Sequence, residues 1–157
     1  MPQKKLLINL RQNKNAAQYA VAIEKVCEQN DLVPVLMPIY YKQDIDSLRK
    51  LKKSLRIPSL LIDQPLSGQE TIAILQQCDT VLAERLHLII FSALLQKPFV
   101  ALSYDPKVSA MADQLQMSRY CIATEQADAQ LLLNTLQDLL ENQDDLRQLL
   151  GKSTAAL

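Results

Sequence analysis

The sequence contains very little glycine: two residues, Gly68 and Gly151, in a chain of 157. Loops that hold phosphate groups with backbone N–H groups, such as GxGxxG, need several glycines at fixed spacing. This chain therefore has no glycine-rich phosphate loop. An anionic ligand would have to be held by charged side chains.

Histidine and cysteine are also scarce. The chain has one histidine, His87, and three cysteines, Cys27, Cys78 and Cys121, which lie far apart without CxxC spacing. Zinc sites are built from clusters of these residues, so we predict no metal site. An odd number of separated cysteines suits a reducing compartment, and we expect a cytoplasmic protein.

Neither sign of charge is in excess. Lys and Arg together number 17, and so do Asp and Glu, which gives a formal net charge of zero. This balance gives no electrostatic basis for binding nucleic acid or an anionic membrane surface. The apolar runs are too short to cross a bilayer, so we expect no integral membrane segment. The length predicts one domain, residues 1–157, with a substantial core.

Short apolar runs alternate with helical patterns along the whole chain. The predicted strands are Lys5–Leu10, Leu32–Tyr40, Ser59–Asp63, Thr80–Ala83, Phe99–Tyr104 and Tyr120–Thr124. The predicted helices are Asn15–Asn30, Asp44–Leu55, Gly68–Cys78, Leu86–Gln96, Lys107–Met117 and about Asp128–Leu150, the last with a break near residues 142–145. Ser67 and Glu70 form a capping-box pattern before the third helix.

This alternation predicts an α/β fold with three layers. Strands that are apolar throughout are typical of a parallel sheet covered by helices on both faces. Right-handed crossovers then give a doubly wound, Rossmann-like sheet with the strand order 3-2-1-4-5-6. Ligands bind such sheets beyond the carboxyl ends of the strands, where the first and fourth strands lie side by side.

Polar side chains follow three strands that the predicted order places next to one another. They are Arg11 after the first strand, Arg85 and His87 after the fourth, and Asp105 and Lys107 after the fifth. Three of them are cations beside helix N-termini, whose free N–H groups also favour anions. The sequence therefore predicts a site for a phosphate or a carboxylate, built from side chains.

Each of these residues also has a purely structural interpretation. His87 could be a satisfied polar residue at a helix start, and Arg85 could cap a strand end or pair with Glu84. Asp105 is the expected N-cap of the next helix, with proline at the first helical position. Lys107 alone would be a solvated surface lysine.

Two tyrosines follow the second strand. Tyr40 and Tyr41 could stack on the ring of a ligand, or they could cover the edge of the core. The sequence leaves both interpretations open.

The segment "ERLHLIIFSALLQKPFVALSYDPKV", residues 84–108, resembles the polysaccharide pyruvyltransferase family, especially bacterial enzymes that pyruvylate cell-wall polysaccharide. The matching motifs are Arg85-Leu86-His87, Lys97-Pro98 and Ser103-Tyr104-Asp105-Pro106-Lys107. The run "INLR", Ile8–Arg11, is similar to the first strand of the family's C-terminal domain. The similarity extends over most of the chain but is specific only around Arg85–Lys107.

The resemblance implies a fold of two Rossmann-like domains facing a cleft, as in GT-B glycosyltransferases, of which this chain is the C-terminal one. The N-terminal domain is then an expected partner, and this chain alone is expected to show little or no activity. The implied reaction joins the pyruvyl unit of phosphoenolpyruvate to two hydroxyls of a sugar or lipid-linked saccharide as a ketal, without a cofactor.

The resemblance also suggests roles for the five polar residues. His87 and Lys107 are the implied catalytic residues, and Arg85, Arg11 and Asp105 are implied to bind substrate. Histidine is suited to proton transfer near neutral pH, and cations would neutralise the donor and the departing phosphate.

Two other functions remain open. A glycosyltransferase or sugar-nucleotide epimerase half-domain that binds a nucleotide sugar would share this architecture. The sequence lacks the E-x7-E pair of many such transferases, because the residue eight positions after Glu84 is Ser92. A binding domain that kept the fold and lost catalysis is the second alternative.

Overall fold

Every predicted strand and helix is present in the computed structural model, which describes residues 3–155 and residue 157. Met1, Pro2 and Ala156 of the predicted domain lie outside the described residues. The strands are β1 Lys4–Asn9, β2 Leu32–Leu36, β3 Leu60–Leu61, β4 Thr80–Ala83, β5 Phe99–Ser103 and β6 Cys121–Ala123. The helices are α1 Ala16–Asn30, α2 Tyr41–Ser54, α3 Gly68–Gln76, α4 Leu86–Leu94, α5 Pro106–Gln114, α6 Ala129–Glu141 and α7 Gln143–Thr154.

The six strands form one sheet in the order β3-β2-β1-β4-β5-β6, and all neighbouring pairs are parallel. The predicted strand order is therefore confirmed. β1 and β4 are adjacent, with a register that runs from Leu6 opposite Thr80 to Asn9 opposite Ala83. Their carboxyl ends meet at the centre of the sheet, where the strand order changes direction.

Helices cover both faces of the sheet, so the structure has the predicted three layers. On one side α1 packs against α2 and α6, and on the other α4 packs against α5 and α7. The central strands are buried along their length: residues 6–8 of β1, 80–83 of β4 and 99–102 of β5 are all buried. Such continuous burial is expected of parallel strands covered on both faces.

The region after β2 differs from the prediction. The strand ends at Leu36 rather than Tyr40, and α2 begins at Tyr41 rather than Asp44. The Met37 N–H still bonds the Ile8 carbonyl at 2.9 Å, but Pro38 follows and has no N–H to donate. The chain therefore turns early, which places Tyr40 and the first turn of α2 at the carboxyl edge of the sheet.

The ends of the other helices and strands lie within a few residues of the predicted ones. The capping box of α3 is confirmed: the Glu70 N–H donates to Ser67 Oγ at 3.1 Å, and the Ser67 N–H donates to Glu70 Oε1 at 2.9 Å. The break in the last helix falls at Asn142, but α7 continues to Thr154, past the predicted end at Leu150. β3 is shorter than predicted, with two residues.

The shortage of glycine has a structural consequence. Asp31, Gln96 and Gln116 have φ values of 53°, 56° and 61°, in the left-handed region where glycine is usual. All three lie just after helices, where a left-handed residue ends the helix. Left-handed backbone costs about 1–2 kcal/mol for a residue with a Cβ atom, so these turns are less stable than glycine turns.

Within the part of the chain that the structure describes, no helix is both long enough and apolar enough to span a membrane.

Candidate active site

The carboxyl ends of β1 and β4 are tied together by the side chain of Asn9, the last residue of β1. Asn9 is fully buried, and its Oδ1 accepts the Arg85 N–H at 3.2 Å. Its Nδ2 donates to the Met37 carbonyl and to Asp44 Oδ2, both at 3.1 Å. One side chain thus connects the loops after β1, β2 and β4, which fixes the edge of the sheet where a ligand is expected.

A cavity of about 190 Å³ opens at this edge. It is lined by Tyr40, Arg85, Leu86, His87, Tyr104, Asp105, Lys107 and Val108. Four of the five predicted site residues, Arg85, His87, Asp105 and Lys107, therefore share one cavity. The fifth, Arg11, lies against its wall, because its guanidinium stacks on the ring of Tyr104. The structure brings these residues together; their roles remain predictions.

His87 is the second residue of α4 and points its exposed side chain into the cavity. A histidine that only packed in the core would be buried. α4 also begins without a side-chain cap, so the N–H groups of its first turn remain available to an anion. The imidazole and a helix N-terminus thus face the same cavity.

Asp105 and Lys107 enter the cavity from the start of α5. Asp105 Oδ1 accepts the Lys107 N–H at 2.8 Å, and Pro106 occupies the first helical position, so the predicted N-cap is confirmed. The Lys107 side chain is exposed, and it takes part in none of the ion pairs found among residues 3–155 and 157. Lys107 is thus an exposed cation on the cavity wall.

Arg85 is held by a carboxylate that the sequence analysis did not identify. Its Nε and Nη2 bond Asp44 Oδ1 at 3.1 Å and 2.6 Å, and Nη2 also donates to Gln43 Oε1 at 2.9 Å. Both partners of this ion pair are buried, with side-chain exposures of 8% and 0%. The suggested pairing of Arg85 with Glu84 is wrong, because the early start of α2 puts Asp44 closer.

Arg11 has a different environment. Its guanidinium carbon lies 4.0 Å from the centroid of the Tyr104 ring, and its Nε is buried without a hydrogen-bond partner among the described residues. Arg11 joins none of the ion pairs that the described residues form. Its positive charge is therefore not matched by a contacting carboxylate.

Glu84 is the buried acid of this region, with 1% of its surface exposed. Burial raises its pKa to about 7, although a hydrogen bond from Asn13, the Arg11 N–H and the Arg11 charge lower it. The Asn13 Nδ2 donates to Glu84 Oε1 at 2.8 Å. Glu84 thus holds the loop that carries Arg11, and it can take up or release a proton near neutral pH.

Sequence reasoning missed Asp44, which accepts five hydrogen bonds in all. Besides those from Asn9 and Arg85, its Oδ2 accepts the N–H groups of Ile39 and Tyr40 at 2.9 Å and 3.2 Å. Asp44 and Arg85 are 41 positions apart. The one available signal was the position of Asp44 in the first turn of an amphipathic helix. An acid that is buried there needs a hydrogen-bond partner from another part of the chain.

Among the described residues, no group of three or more His, Cys, Asp or Glu side chains comes together as a metal site would require.

Several known structures share this fold. The C-terminal CMP-Kdo binding domain of WaaA from Acinetobacter baumannii superposes with a TM-score of 0.70 at 14% identity, covering 98% of this chain and 88% of that one. The catalytic domain of cholesterol-α-glucosyltransferase from Helicobacter pylori gives a TM-score of 0.62 at 16% identity, covering 99% and 97%. The fold is that of a GT-B glycosyltransferase domain.

A third neighbour is S. aureus MnaA, solved with UDP, with a TM-score of 0.72 at 12% identity. The match covers 96% of this chain and 40% of the MnaA chain. At these identities the comparisons show a shared fold and nothing finer.

The family is shown by the sequence itself. The family model for polysaccharide pyruvyl transferase matches residues 6–106, more than half of the 157 residues. The chain belongs to the polysaccharide pyruvyl transferase family. The matched region includes Arg11, Arg85, His87 and Asp105 and ends one residue before Lys107. A comparison with curated protein sequences gives no match.

Proposed function

We propose that this chain forms half of the active site of an enzyme that transfers pyruvyl from phosphoenolpyruvate to a sugar of a cell-wall or exopolysaccharide. One observation carries the proposal: His87 and Lys107 come from the first turns of two different helices, α4 and α5, and line the same cavity. The cavity thus contains His87, which is suited to proton transfer, and Lys107, which is suited to binding a phosphate. Family membership supports a transferase that modifies polysaccharide.

The donor carries a phosphate and a carboxylate, and the cavity offers a group for each. Lys107 suits one anion, and the uncapped N-terminus of α4, with Arg11 against the cavity wall, suits the other. Arg85 contributes Nη1, the guanidinium nitrogen that bonds neither Asp44 nor Gln43. Asp105 keeps the first turn of α5 in place and so positions Lys107.

The proposed reaction needs two proton movements. A proton added to the methylene carbon of the donor makes C2 electrophilic, and one sugar hydroxyl adds there as the carbon–carbon double bond is consumed. A second hydroxyl then forms the second C2–O bond while the C2–O bond to phosphate breaks. Of the two hydroxyl protons, one balances the proton added to the methylene and the other leaves with phosphate. His87 is positioned to carry these protons.

A nucleotide sugar is the second candidate donor, and the comparisons supply the reason. One neighbour is described as a CMP-Kdo binding domain and another was solved with UDP. A base and ribose would need room beyond the anion cavity. The match to the pyruvyl transferase family favours the phosphoenolpyruvate hypothesis over the nucleotide-sugar hypothesis.

We also propose that an N-terminal domain of the same enzyme completes the cleft, so that the 157-residue chain alone gives little turnover. Several neighbours are matched over only part of their length, as with MnaA at 40%. We place the reaction in the cytoplasm. Three unpaired cysteines, two of them buried, are consistent with a reducing compartment.

The proposal is tested with the complete protein that contains this chain. Phosphate release from phosphoenolpyruvate should depend on an added saccharide acceptor, and the ketal methyl group should appear in the proton NMR spectrum of the product. Thermal unfolding should shift upward with phosphoenolpyruvate and not with UDP-sugars. Stabilisation by a UDP-sugar without ketal formation would favour the glycosyltransferase alternative.

A further inference from the structure

A second, larger cavity of about 360 Å³ lies between the loop after β1 and helix α2. It is lined by three amide residues, one hydroxyl residue, one acid and two lysines: Gln12, Asn13, Gln43, Ser47, Asp46, Lys14 and Lys50. Amides and hydroxyls both donate and accept hydrogen bonds, as the hydroxyl groups of a sugar do. The first cavity, by contrast, has no amide side chain among the described residues of its lining.

Both cavities have lining residues at the start of α2. Tyr40 is the residue just before the helix, and Gln43, Ser47 and Lys50 are spaced four and three residues apart on one side of it. Tyr40 lines the cavity of His87, and the other three line the polar cavity. Tyr40 and Gln43 are three positions apart, so a ligand that contacts both would reach from one cavity to the other.

One hydrogen bond joins the two linings directly. Arg85 Nη2, from the first cavity, donates to Gln43 Oε1, in the second, at 2.9 Å. Asn13, in the second cavity, donates at 2.8 Å to Glu84, the buried residue that precedes Arg85. These contacts hold the two walls at fixed positions, as a site that joins two substrates requires.

Tyr40 offers an aromatic surface in the first cavity. Tyr40 is 48% exposed, and the Arg85 guanidinium carbon lies 4.7 Å from the centroid of its ring. The cation covers one face of the ring and restrains its orientation, which leaves the other face for a ligand. The negative face of an aromatic ring attracts C–H groups with partial positive charge, which a pyranose ring presents on its faces.

We propose that the polar cavity, together with Tyr40, binds the acceptor saccharide. A pyranose ring packs on Tyr40, and its hydroxyl groups hydrogen-bond the amides of Gln12 and Gln43. Two of its hydroxyls then face the cavity that holds His87. This assignment rests on the proposed function, and it names the substrate that the cationic cavity does not explain.

The test is a titration of the ¹⁵N-labelled 157-residue chain followed by two-dimensional ¹H–¹⁵N NMR. The probes are methyl β-D-glucopyranoside, methyl β-D-galactopyranoside and methyl β-D-mannopyranoside, each added separately. At least one should shift the side-chain amide signals of Gln12 and Gln43 and the backbone signal of Tyr40. Tyr40→Leu and Gln12→Ala should each weaken that binding at least threefold.

Two matched variants serve as controls. Tyr40→Phe keeps the ring and should bind like the wild type, and Gln69→Ala removes an exposed amide on α3, away from the cavity. The proposal is overturned if none of the three glycosides shifts these signals, or if Tyr40→Leu and Gln12→Ala bind unchanged. It is also overturned if UDP shifts them and the glycosides do not.

This binding test does not depend on turnover. Glycoside binding without ketal formation would refute the proposed reaction and leave the saccharide site intact. Ketal formation that is unaffected by Tyr40→Leu and Gln12→Ala would support the proposed reaction and refute the saccharide site.

Discussion

Two arginines of the candidate site, Arg85 and Arg11, carry the same charge in opposite environments. Arg85 is buried and bonded through two nitrogens to Asp44, and its ring neighbour Tyr40 lies at 4.7 Å. Arg11 stacks on Tyr104 at 4.0 Å and has no carboxylate partner among the described residues. Among the described residues, the first charge has a contacting carboxylate and the second does not.

We propose that the difference separates a structural cation from a binding cation. A buried ion pair is costly to desolvate and is maintained by its geometry, so the proposed main role of Arg85 is to fix the loop that leads to His87. An unpaired cation beside a cavity attracts an anionic ligand without first giving up a partner. The motif "RLH" draws attention to Arg85, but we propose Arg11 for the negative charge of the donor, because Arg11 has no contacting carboxylate in the part of the chain that the structure describes.

The largest expected effect comes from removing the anchor of Arg85. Asp44→Ala leaves a buried guanidinium without its carboxylate and should lower the free energy of unfolding by about 3–5 kcal/mol. Urea unfolding measures this change. The double variant Asp44→Leu, Arg85→Met replaces the pair by apolar side chains and should recover most of the loss. If the Asp44→Ala protein were as stable as the wild type, the proposed structural role of the Asp44–Arg85 pair would be wrong.

Glu84→Gln tests the buried acid beside Arg11. Burial raises the pKa of Glu84 from 4.5 to about 7 in the folded protein. The folded state therefore holds this proton more tightly than the unfolded state. The resulting stability is fully present below about pH 4.5 and is lost as the pH rises to about 7, a difference of about 3 kcal/mol.

The variant keeps the shape of the side chain and has no proton to lose. Wild type and Glu84→Gln should be similarly stable at pH 4.5, and the variant should be more stable at pH 8. Urea unfolding at several pH values gives the difference, and the other carboxyl groups cancel because both proteins contain them. A constant difference across this range would contradict the titration of Glu84.

Arg11→Ala should weaken donor binding and leave the fold intact. A charge-assisted hydrogen bond contributes about 1.5–3 kcal/mol, so KM for phosphoenolpyruvate should rise about 10- to 100-fold. The melting temperature should change little, because no ion pair is broken. Arg85→Ala is the matched comparison, and it should lower both donor affinity and stability. If Arg11→Ala instead destabilised the protein as strongly as Arg85→Ala, the distinction between the two arginines would fail.

The smallest effect is expected at the ring under Arg11. Tyr104→Leu removes a cation–π contact that contributes about 0.5–1 kcal/mol at an exposed position. KM for phosphoenolpyruvate should rise a few-fold as Arg11 loses its orientation, and Tyr104→Phe should behave like the wild type. Steady-state kinetics on both variants, side by side, measure this. Equal effects of Leu and Phe would assign the loss to the hydroxyl group rather than to the ring.

Most of the fold could be predicted because its signals are local. Apolar runs, caps and helical spacing are properties of neighbouring residues, and parallel strands with right-handed crossovers then leave few possible orders. The positions of His87 and Lys107 followed from that order, because both come directly after adjacent strands. The early end of β2 was missed, since the apolar residues Met37 and Ile39 continue the strand pattern past its last pair.

The contacts that distinguish the two arginines could not be predicted. Asp44 reaches Arg85 across 41 residues, and Asn13 reaches Glu84 across 71. Such pairs depend on where whole helices pack. The predicted helix began at Asp44, whereas α2 begins at Tyr41 and has Asp44 buried in its first turn.

The central claim is that His87 carries protons in pyruvyl transfer, and His87→Ala tests it most directly. In the complete protein that contains this chain, steady-state kinetics with phosphoenolpyruvate as the varied substrate should show kcat reduced about 10²–10⁴-fold, because proton transfer contributes mainly in the transition state. KM for phosphoenolpyruvate should change little, since the cations that hold the donor remain. Near-wild-type turnover by a correctly folded His87→Ala protein would contradict the account.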